Sequence, residues 1–209
     1  MSPRQPLLRL LRALGASTAA LLLAGCIENV QPESTGNSEQ AQRSWVARRA
    51  ALQQLHAFSL QGRLAESGVV SFGGALSWMQ DGEQFQARFY GPLGVGAVAI
   101  SGTPEDMEVR SKNGSTRTAD PEAFMQQQFG WSLPLRGLRY WVLGLPAPGG
   151  QVALKLDESG RILALKQAGW ELAYLEYQDV AGLALPKKFT ISDSEHGFKV
   201  FVDQWVSVQ

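Results

Sequence analysis

The chain has 209 residues, 44% of them apolar, with 19 basic and 19 acidic side chains and a single cysteine. One thiol excludes an internal disulfide framework, and balanced charge without a basic stripe excludes the electrostatic footprint of a nucleic-acid binder.

The first 25 residues read as a processed segment. Arg4, Arg9 and Arg12 form a positive start, and Leu14 to Ala24 form an apolar run shorter than the roughly 20 residues a membrane-spanning helix needs. The run ends in Leu22-Leu23-Ala24-Gly25-Cys26, the pattern of a bacterial lipoprotein signal cleaved before Cys26. Small Ala24 and Gly25 let a peptidase reach the backbone, and Cys26 supplies the only thiol that a lipid transferase can use. Lipidation predicts a membrane-attached protein without a transmembrane helix, since two or more acyl chains anchor stably where one is marginal. Enteric bacteria retain lipoproteins in the inner membrane by Asp after the lipidated cysteine; Ile27 stands there and, by that rule, predicts the outer membrane.

Cleavage removes three arginines and leaves 184 residues, 16 basic and 19 acidic, with a net charge of −3. Residues 27–40 are polar, contain Pro32 and Gly36, and show no apolar period. We assign 26–38 to a lipidated N-terminus and flexible tether, about 20 Å in mean reach, and 39–209 to the folded domain.

Ser38 is a plausible N-cap for a helix from Glu39 to about Ala57, with Trp45, Leu52 and Leu55 on one face and Arg43, Arg48 and Arg49 toward solvent. His56 reads as a helix-terminal histidine. The period then changes to two: Phe58, Leu60 and Leu64; Val70, Phe72, Gly74, Leu76 and Trp78; Phe85, Ala87 and Phe89, with a hairpin at Asp81-Gly82. Gly62, Gly73 and Gly74 inside these strands predict bends or bulges of a strongly curved sheet. Gly91-Pro92-Leu93-Gly94-Val95-Gly96 interrupts as a loop carrying two apolar residues, Leu93 and Val95, where a turn is normally polar. Strands resume at Ala97–Ser101, Met107–Ser111 and Ser115–Thr118, with a hairpin at Asn113-Gly114.

Asp120-Pro121-Glu122 starts a helix whose apolar side begins with Phe124 and Met125 and which Gly130 can end. A second short helix is predicted from Leu135 to Leu143, with Leu135, Leu138, Trp141 or Val142, and Leu145 sharing a side. Two helices this apolar must cover something, and the concave face of the sheet is the available surface. Five strands follow: Gln151–Asp157, Arg161–Gln167, Trp170–Gln178, Lys187–Asp193 and Phe198–Val208. The predicted fold is therefore mainly β with α. It is a curved antiparallel sheet of about eleven strands forming an unclosed barrel, covered by short helices.

On Gly91-Pro92-Leu93-Gly94, on Leu138-Arg139-Tyr140-Trp141-Val142-Leu143-Gly144-Leu145-Pro146 and on Asp203-Gln204-Trp205-Val206, the chain resembles the LolB family of outer-membrane lipoprotein receptors. The resemblance extends over the layout of the whole mature domain and implies a LolA/LolB-like half-open barrel with an apolar cavity for acyl chains. It implies a receptor that takes lipoproteins from the soluble periplasmic carrier LolA and places them in the inner leaflet of the outer membrane. The lipobox and the protruding apolar loop favour the receptor over the carrier. By motif the family's membrane-transfer leucine maps to Leu93, with Val95 broadening the apolar tip. Cavity candidates are Phe72, Trp78, Phe89, Met107, Phe124, Met125, Leu138, Trp141, Val142 and Leu145; Met79, Met107 and Met125 suit a lining that adapts to different chains. The expected partners are LolA, lipoprotein acyl chains and outer-membrane lipid, acting on a periplasm-facing, lipid-anchored monomer.

Nothing in the chain calls for chemistry. It contains no G-x-S-x-G, H-E-x-x-H or G-x-x-x-x-G-K, so we expect no enzyme, cofactor or metal. Asp193, Glu195 and His196 fall in a predicted hairpin turn and read as a solvated turn. The alternatives weighed are a structural lipoprotein accessory of an outer-membrane assembly machine, which would expose a partner groove, and a lipid-modifying hydrolase, which would need a spatial Ser-His-acid cluster.

Overall fold

The structure, a computed structural model, describes residues 38–66, 73–91, 97–129 and 132–209. It opens with helix α1, Glu39–Gln53, capped as expected: Ser38 Oγ accepts from Ala41 N at 3.1 Å, and Glu39 sits in the first turn. The helix stops four residues short of the predicted end. The backbone N–H groups of His56 and Ala57 instead donate to Gln209 O, at 2.9 and 3.1 Å, so sheet pairing takes over where helical spacing still reads well.

Six strands follow: β1 (Ala57–Glu66), β2 (Gly73–Asp81), β3 (Gln84–Tyr90), β4 (Val98–Gly102), β5 (Met107–Ser111) and β6 (Gly114–Thr118). Helices α2 (Pro121–Phe129) and α3 (Leu135–Trp141) come next, then β7 (Val152–Leu156), β8 (Ile162–Gln167), β9 (Trp170–Val180), β10 (Leu183–Ser192) and β11 (Gly197–Val208). All eleven strands form one antiparallel sheet in the order β6-β5-β4-β3-β2-β1-β11-β10-β9-β8-β7, leaving β6 and β7 as unpaired edges among the described residues. Closing the sequence ends through β1 and β11 puts the first and last strands at its middle. The period of two is kept: Leu60, Leu64, Leu76, Trp78, Ala87, Phe89, Val200 and Val202 are buried on one face, while neighbours such as Arg63, Met79, Arg88 and Lys199 lie outside. The helices bury their apolar sides on the same cluster, to which Trp45, Leu52, Met125, Leu138 and Trp141 all belong.

The pairing of β1 with β11 is irregular. Two register shifts leave Val206 and Asp203 as extra residues on β11, opposite Ser59/Leu60 and Gln61/Gly62. A Cβ on Gly62 would lie 2.1 Å from Phe201 O, so only glycine permits that approach. Gly74 has a different reason: its pairing is regular, but a Cβ there would meet Tyr90 O at 2.0 Å.

Several boundaries move. Strand β10 begins at Leu183 rather than Lys187, because Pro186 is accommodated at a register break between Pro186 and Lys188. Ala168-Gly169 and Ala181-Gly182 form two-residue turns with positive φ at both positions (51° and 82°, 53° and 81°), an alanine-first version of the tight hairpin turn. The loop residues of the predicted hairpins are Gly82-Glu83 and Lys112-Asn113, each one step from the dipeptide expected. Helix α3 ends at Trp141, two residues early. Gly144, at φ 74°, donates to Trp141 O while Leu145 N donates to Tyr140 O, the paired bonds of a Schellman stop.

Candidate functional site

The site is built between two helix anchorages. On one side, α1 presents Ala41, Trp45 and Leu52 to the core, a stripe at spacings of four and seven that also contains Arg48. Arg48 was expected in solvent; it is half-buried, donates to Ala184 O, and lies 5.5 Å over the ring of Tyr177. Its Nε is buried with no partner among the described residues, and burial lowers its pKa from the ordinary arginine value. Arg161 lies over the same ring at 5.4 Å and pairs with Asp157 at 2.6 Å; the Tyr177 hydroxyl donates to Ile162 O at 2.7 Å, and burial pushes its pKa up. The backbone of α1 itself rests on Gly160, where a Cβ would come within 2.3 Å of Trp45 N.

On the other side, α3 and the segment after it hang on one buried amide. Gln167 Oε1 accepts from Trp141 Nε1 at 3.1 Å and from Ala147 N at 2.9 Å, while its Nε2 donates to Ala147 O at 2.7 Å and Gly149 O at 3.1 Å. The Tyr174 hydroxyl, whose pKa burial raises well above the ordinary tyrosine value, donates to Trp141 O at 2.8 Å. These bonds satisfy polar groups that the apolar interior would otherwise leave costly.

Between the two lies a groove of about 630 Å³. Trp45, Leu52, Leu55 and Phe58 line it from the α1 side, Tyr140, Leu143, Leu145 and Pro146 from the α3 side, and Val152 and Leu154 from β7. Its polar lining comprises Arg49, Gln53, His56, Gln80, Glu83 and Arg139. Gln80 is spent internally, accepting from Trp78 Nε1 at 3.1 Å and donating to Gly82 O at 2.7 Å. Such a space can hold an extended apolar chain. Among the described residues no group of three His, Cys, Asp or Glu side chains is placed to hold a metal ion.

Of the sequence candidates, Leu145 borders this groove. Trp78, Phe89, Met107, Met125, Leu138, Trp141 and Val142 lie deeper, each exposing 3% or less of its surface, and Phe124 packs partly buried against them. Met79, expected among the flexible lining residues, is 57% exposed on the outer face, because alternation along β2 turns Leu76 and Trp78 inward. Cys26, Phe72, Leu93 and Val95 lie outside the described residues, as do Val70 and Gly130. Asp193 Oδ1 accepts from Glu195 N at 2.8 Å and His196 N at 2.6 Å, the local turn that the sequence suggested. The sequence reading missed Leu143, Tyr140, Leu154 and the 146–150 segment as groove wall. The one signal for them was apolar residues persisting past a helix stop.

Two solved structures share the architecture at low identity. A LolA superfamily protein from Nitrosomonas europaea superposes with a TM-score of 0.52 at 13% identity, over 79% of this chain and 92% of that one. A DUF1329 family protein from Desulfovibrio piger does so with a TM-score of 0.52 at 7% identity, over 82% and 93%. The class is thus the LolA-like unclosed barrel. The sequence profile described as "Outer membrane lipoprotein LolB" matches residues 56–205. Similar relatives include "Outer-membrane lipoprotein LolB" of Nitrosococcus oceani, 37% identical over 88% of this chain and 92% of the relative. That of Stutzerimonas stutzeri is 32% identical over 94% and 96%. The chain belongs to the LolB family of outer-membrane lipoproteins. Among the described residues no helix is long and apolar enough to cross a membrane.

Proposed function

We propose that this protein is a lipid-anchored receptor that accepts lipoproteins from the periplasmic carrier LolA and sets them into the inner leaflet of the outer membrane. The observation that carries this reading is the apolar groove of about 630 Å³ set between α1 and the α3 wall on a LolB-family frame. An acyl chain gains roughly 0.8 kcal/mol for each CH₂ taken out of water, so handing it from carrier to receptor to bilayer needs successive apolar environments and no bond chemistry.

In this reading Cys26 carries the anchor, residues 26–38 form the tether, and the cargo chain enters beside Leu145. It reaches Trp78, Phe89, Met107, Phe124, Met125, Leu138, Trp141 and Val142, with Phe72, as the groove opens. Leu93 and Val95 enter the bilayer and bring the groove to the membrane for release, the protein acting as a monomer.

The test is a two-stage transfer: lipoprotein-loaded LolA is mixed with the protein, and the protein is then presented to liposomes. The native chain is expected to take the lipoprotein and deliver it. Leu93→Glu is expected to take it and retain it, because a carboxylate resists entering hydrocarbon. Failure of the native chain to accept lipoprotein overturns the reading, and normal delivery by Leu93→Glu removes Leu93 from it.

A further inference from the structure

The groove is apolar along its walls and cationic at its rim. Arg49, exposed on α1, and Arg139, half-buried on α3, both border it; among the described residues Glu83 is the one carboxylate on its lining. Five other arginines pair with acids, Arg43 with Glu39, Arg63 with Asp203, Arg110 with Glu108, Arg117 with Asp106 and Arg161 with Asp157, while Arg48 and Arg136 donate to backbone carbonyls. Among the described residues Arg49, Arg88 and Arg139 have neither an ion pair nor a hydrogen bond, and two of these three border the groove. The guanidinium of Arg139 lies 4.9 Å over the ring of Tyr140, which positions its plane while its N–H donors stay unused.

A planar guanidinium left without an acid beside an apolar trough matches an amphiphile whose tail lies in the trough and whose head presents paired oxygen acceptors. We infer that the groove binds an acyl chain ending in an anionic group, a carboxylate or a phosphate, with its head held by Arg139 and Arg49 and its tail against Leu52, Leu143 and Leu145. The inference rests on the acyl-binding reading above and adds a head-group preference to it. The ester-linked chains of a lipoprotein carry no charge at that end, so this ligand is a free fatty acid or a phosphate-headed lipid that shares the groove with protein cargo. The volume of about 630 Å³ is of the size that binds small molecules, roughly 300–1,000 Å³.

The experiment uses the full chain in phosphatidylcholine vesicles and three photoactivatable probes of one tail length: a fatty acid, a lysophosphatidic acid and an uncharged monoacylglycerol. Crosslinks are mapped by mass spectrometry to the peptides containing Leu143, Leu145 and Leu154. At least one anionic probe is expected to label them about tenfold more than the uncharged one, the size of one or two charge-assisted hydrogen bonds. Labelling by the fatty acid alone, by the phosphate alone, or by both tells which head group is meant. Arg139→Gln, and more fully Arg139→Gln with Arg49→Gln, is expected to bring the anionic probes down to the uncharged level. Retained uncharged labelling shows that the variant groove is folded. Equal labelling by all three probes in the native chain, or an unchanged ratio in the double variant, overturns the head-group inference while leaving acyl binding standing. Absence of any groove labelling overturns both.

Discussion

The two helices that border the groove are fastened by opposite means. Helix α3 is held by buried hydrogen bonds that converge on Gln167 and Tyr174, with the Trp141 side chain between them. Helix α1 is held by shape: its backbone lies directly on Gly160, and its central polar contact is Arg48, which is half-buried with an unpartnered Nε. Fully satisfied buried networks fix one geometry, whereas a helix resting on a glycine and an incompletely paired guanidinium can separate from the sheet at smaller cost. The α3 wall is therefore the fixed jaw of the groove, and α1 the jaw better suited to move.

The largest effect that separates the two jaws is at Trp141. Trp141→Ala removes a fully buried ring and a donor to Gln167, and is expected to destabilise by about 4 kcal/mol. For a chain this size that lowers the melting temperature by about 10 °C. Calorimetry reads the loss, and hydrogen exchange is expected to rise first in 138–149 rather than in α1. Protection lost equally in both helices would show that they are one unit. Gly160→Ala is the converse. Its φ of 73° and its approach to Trp45 N oppose any side chain, so about 2 kcal/mol is expected, from left-handed strain and displacement of α1. Exchange should then rise in α1 while α3 keeps its protection; unchanged exchange in α1 would mean that Gly160 is not its seat.

Much of this frame was legible before the fold was known, because strands with one buried face announce themselves by period two. Leu60–Leu64, Leu76–Trp78 and Phe85–Ala87–Phe89 all lie where alternation places them. The Asp120-Pro121 start of α2 also holds, with Asp120 Oδ1 accepting from Ala123 N at 3.0 Å. What stayed illegible depends on distant partners. Arg48 shares the spacing of Ala41, Trp45 and Leu52, yet its charge argues for solvent, and only the proximity of Tyr177 and Ala184 reverses that. Gln167 looks like the polar end of a strand, and nothing local foretells that Trp141, Ala147 and Gly149 meet its amide. The groove was unreadable for the same reason, since its walls are separated by some ninety residues and come together only in the fold.

Arg48→Met sharpens the contrast from the α1 side. Methionine keeps the packing of the long stem and removes a partly desolvated charge, at the loss of one bond to Ala184 O and the stacking on Tyr177. The two changes oppose each other, and stability is expected to stay within about 1 kcal/mol of the native chain. A fall of melting temperature comparable to that of Trp141→Ala would mean that α1 is held by its arginine after all.

The smallest effect belongs to the start of the fixed jaw. Glu122, in the first turn of α2, accepts from Arg136 N at 3.4 Å, and burial raises its carboxyl pKa above the ordinary value of 4.5. The nearby Arg136 pulls the other way without overcoming the burial. A raised carboxyl pKa means that the folded chain holds this proton more tightly than the unfolded chain. The associated stability is fully present below pH 4.5 and is lost as pH rises through the folded pKa. At neutral pH the fold therefore carries a partly desolvated carboxylate at the junction of α2 and α3. Glu122→Gln keeps the shape and the acceptor for Arg136 N but cannot ionise. The variant is expected to lose the native chain's decline in stability just above pH 4.5 and to be equal or slightly more stable at pH 7. Denaturant midpoints measured across pH 4 to 7 on both proteins test this. A variant that is less stable at pH 7 would show that the charge on Glu122 holds α2 to α3, and that the fixed jaw depends on an ion as well as on the Gln167 network.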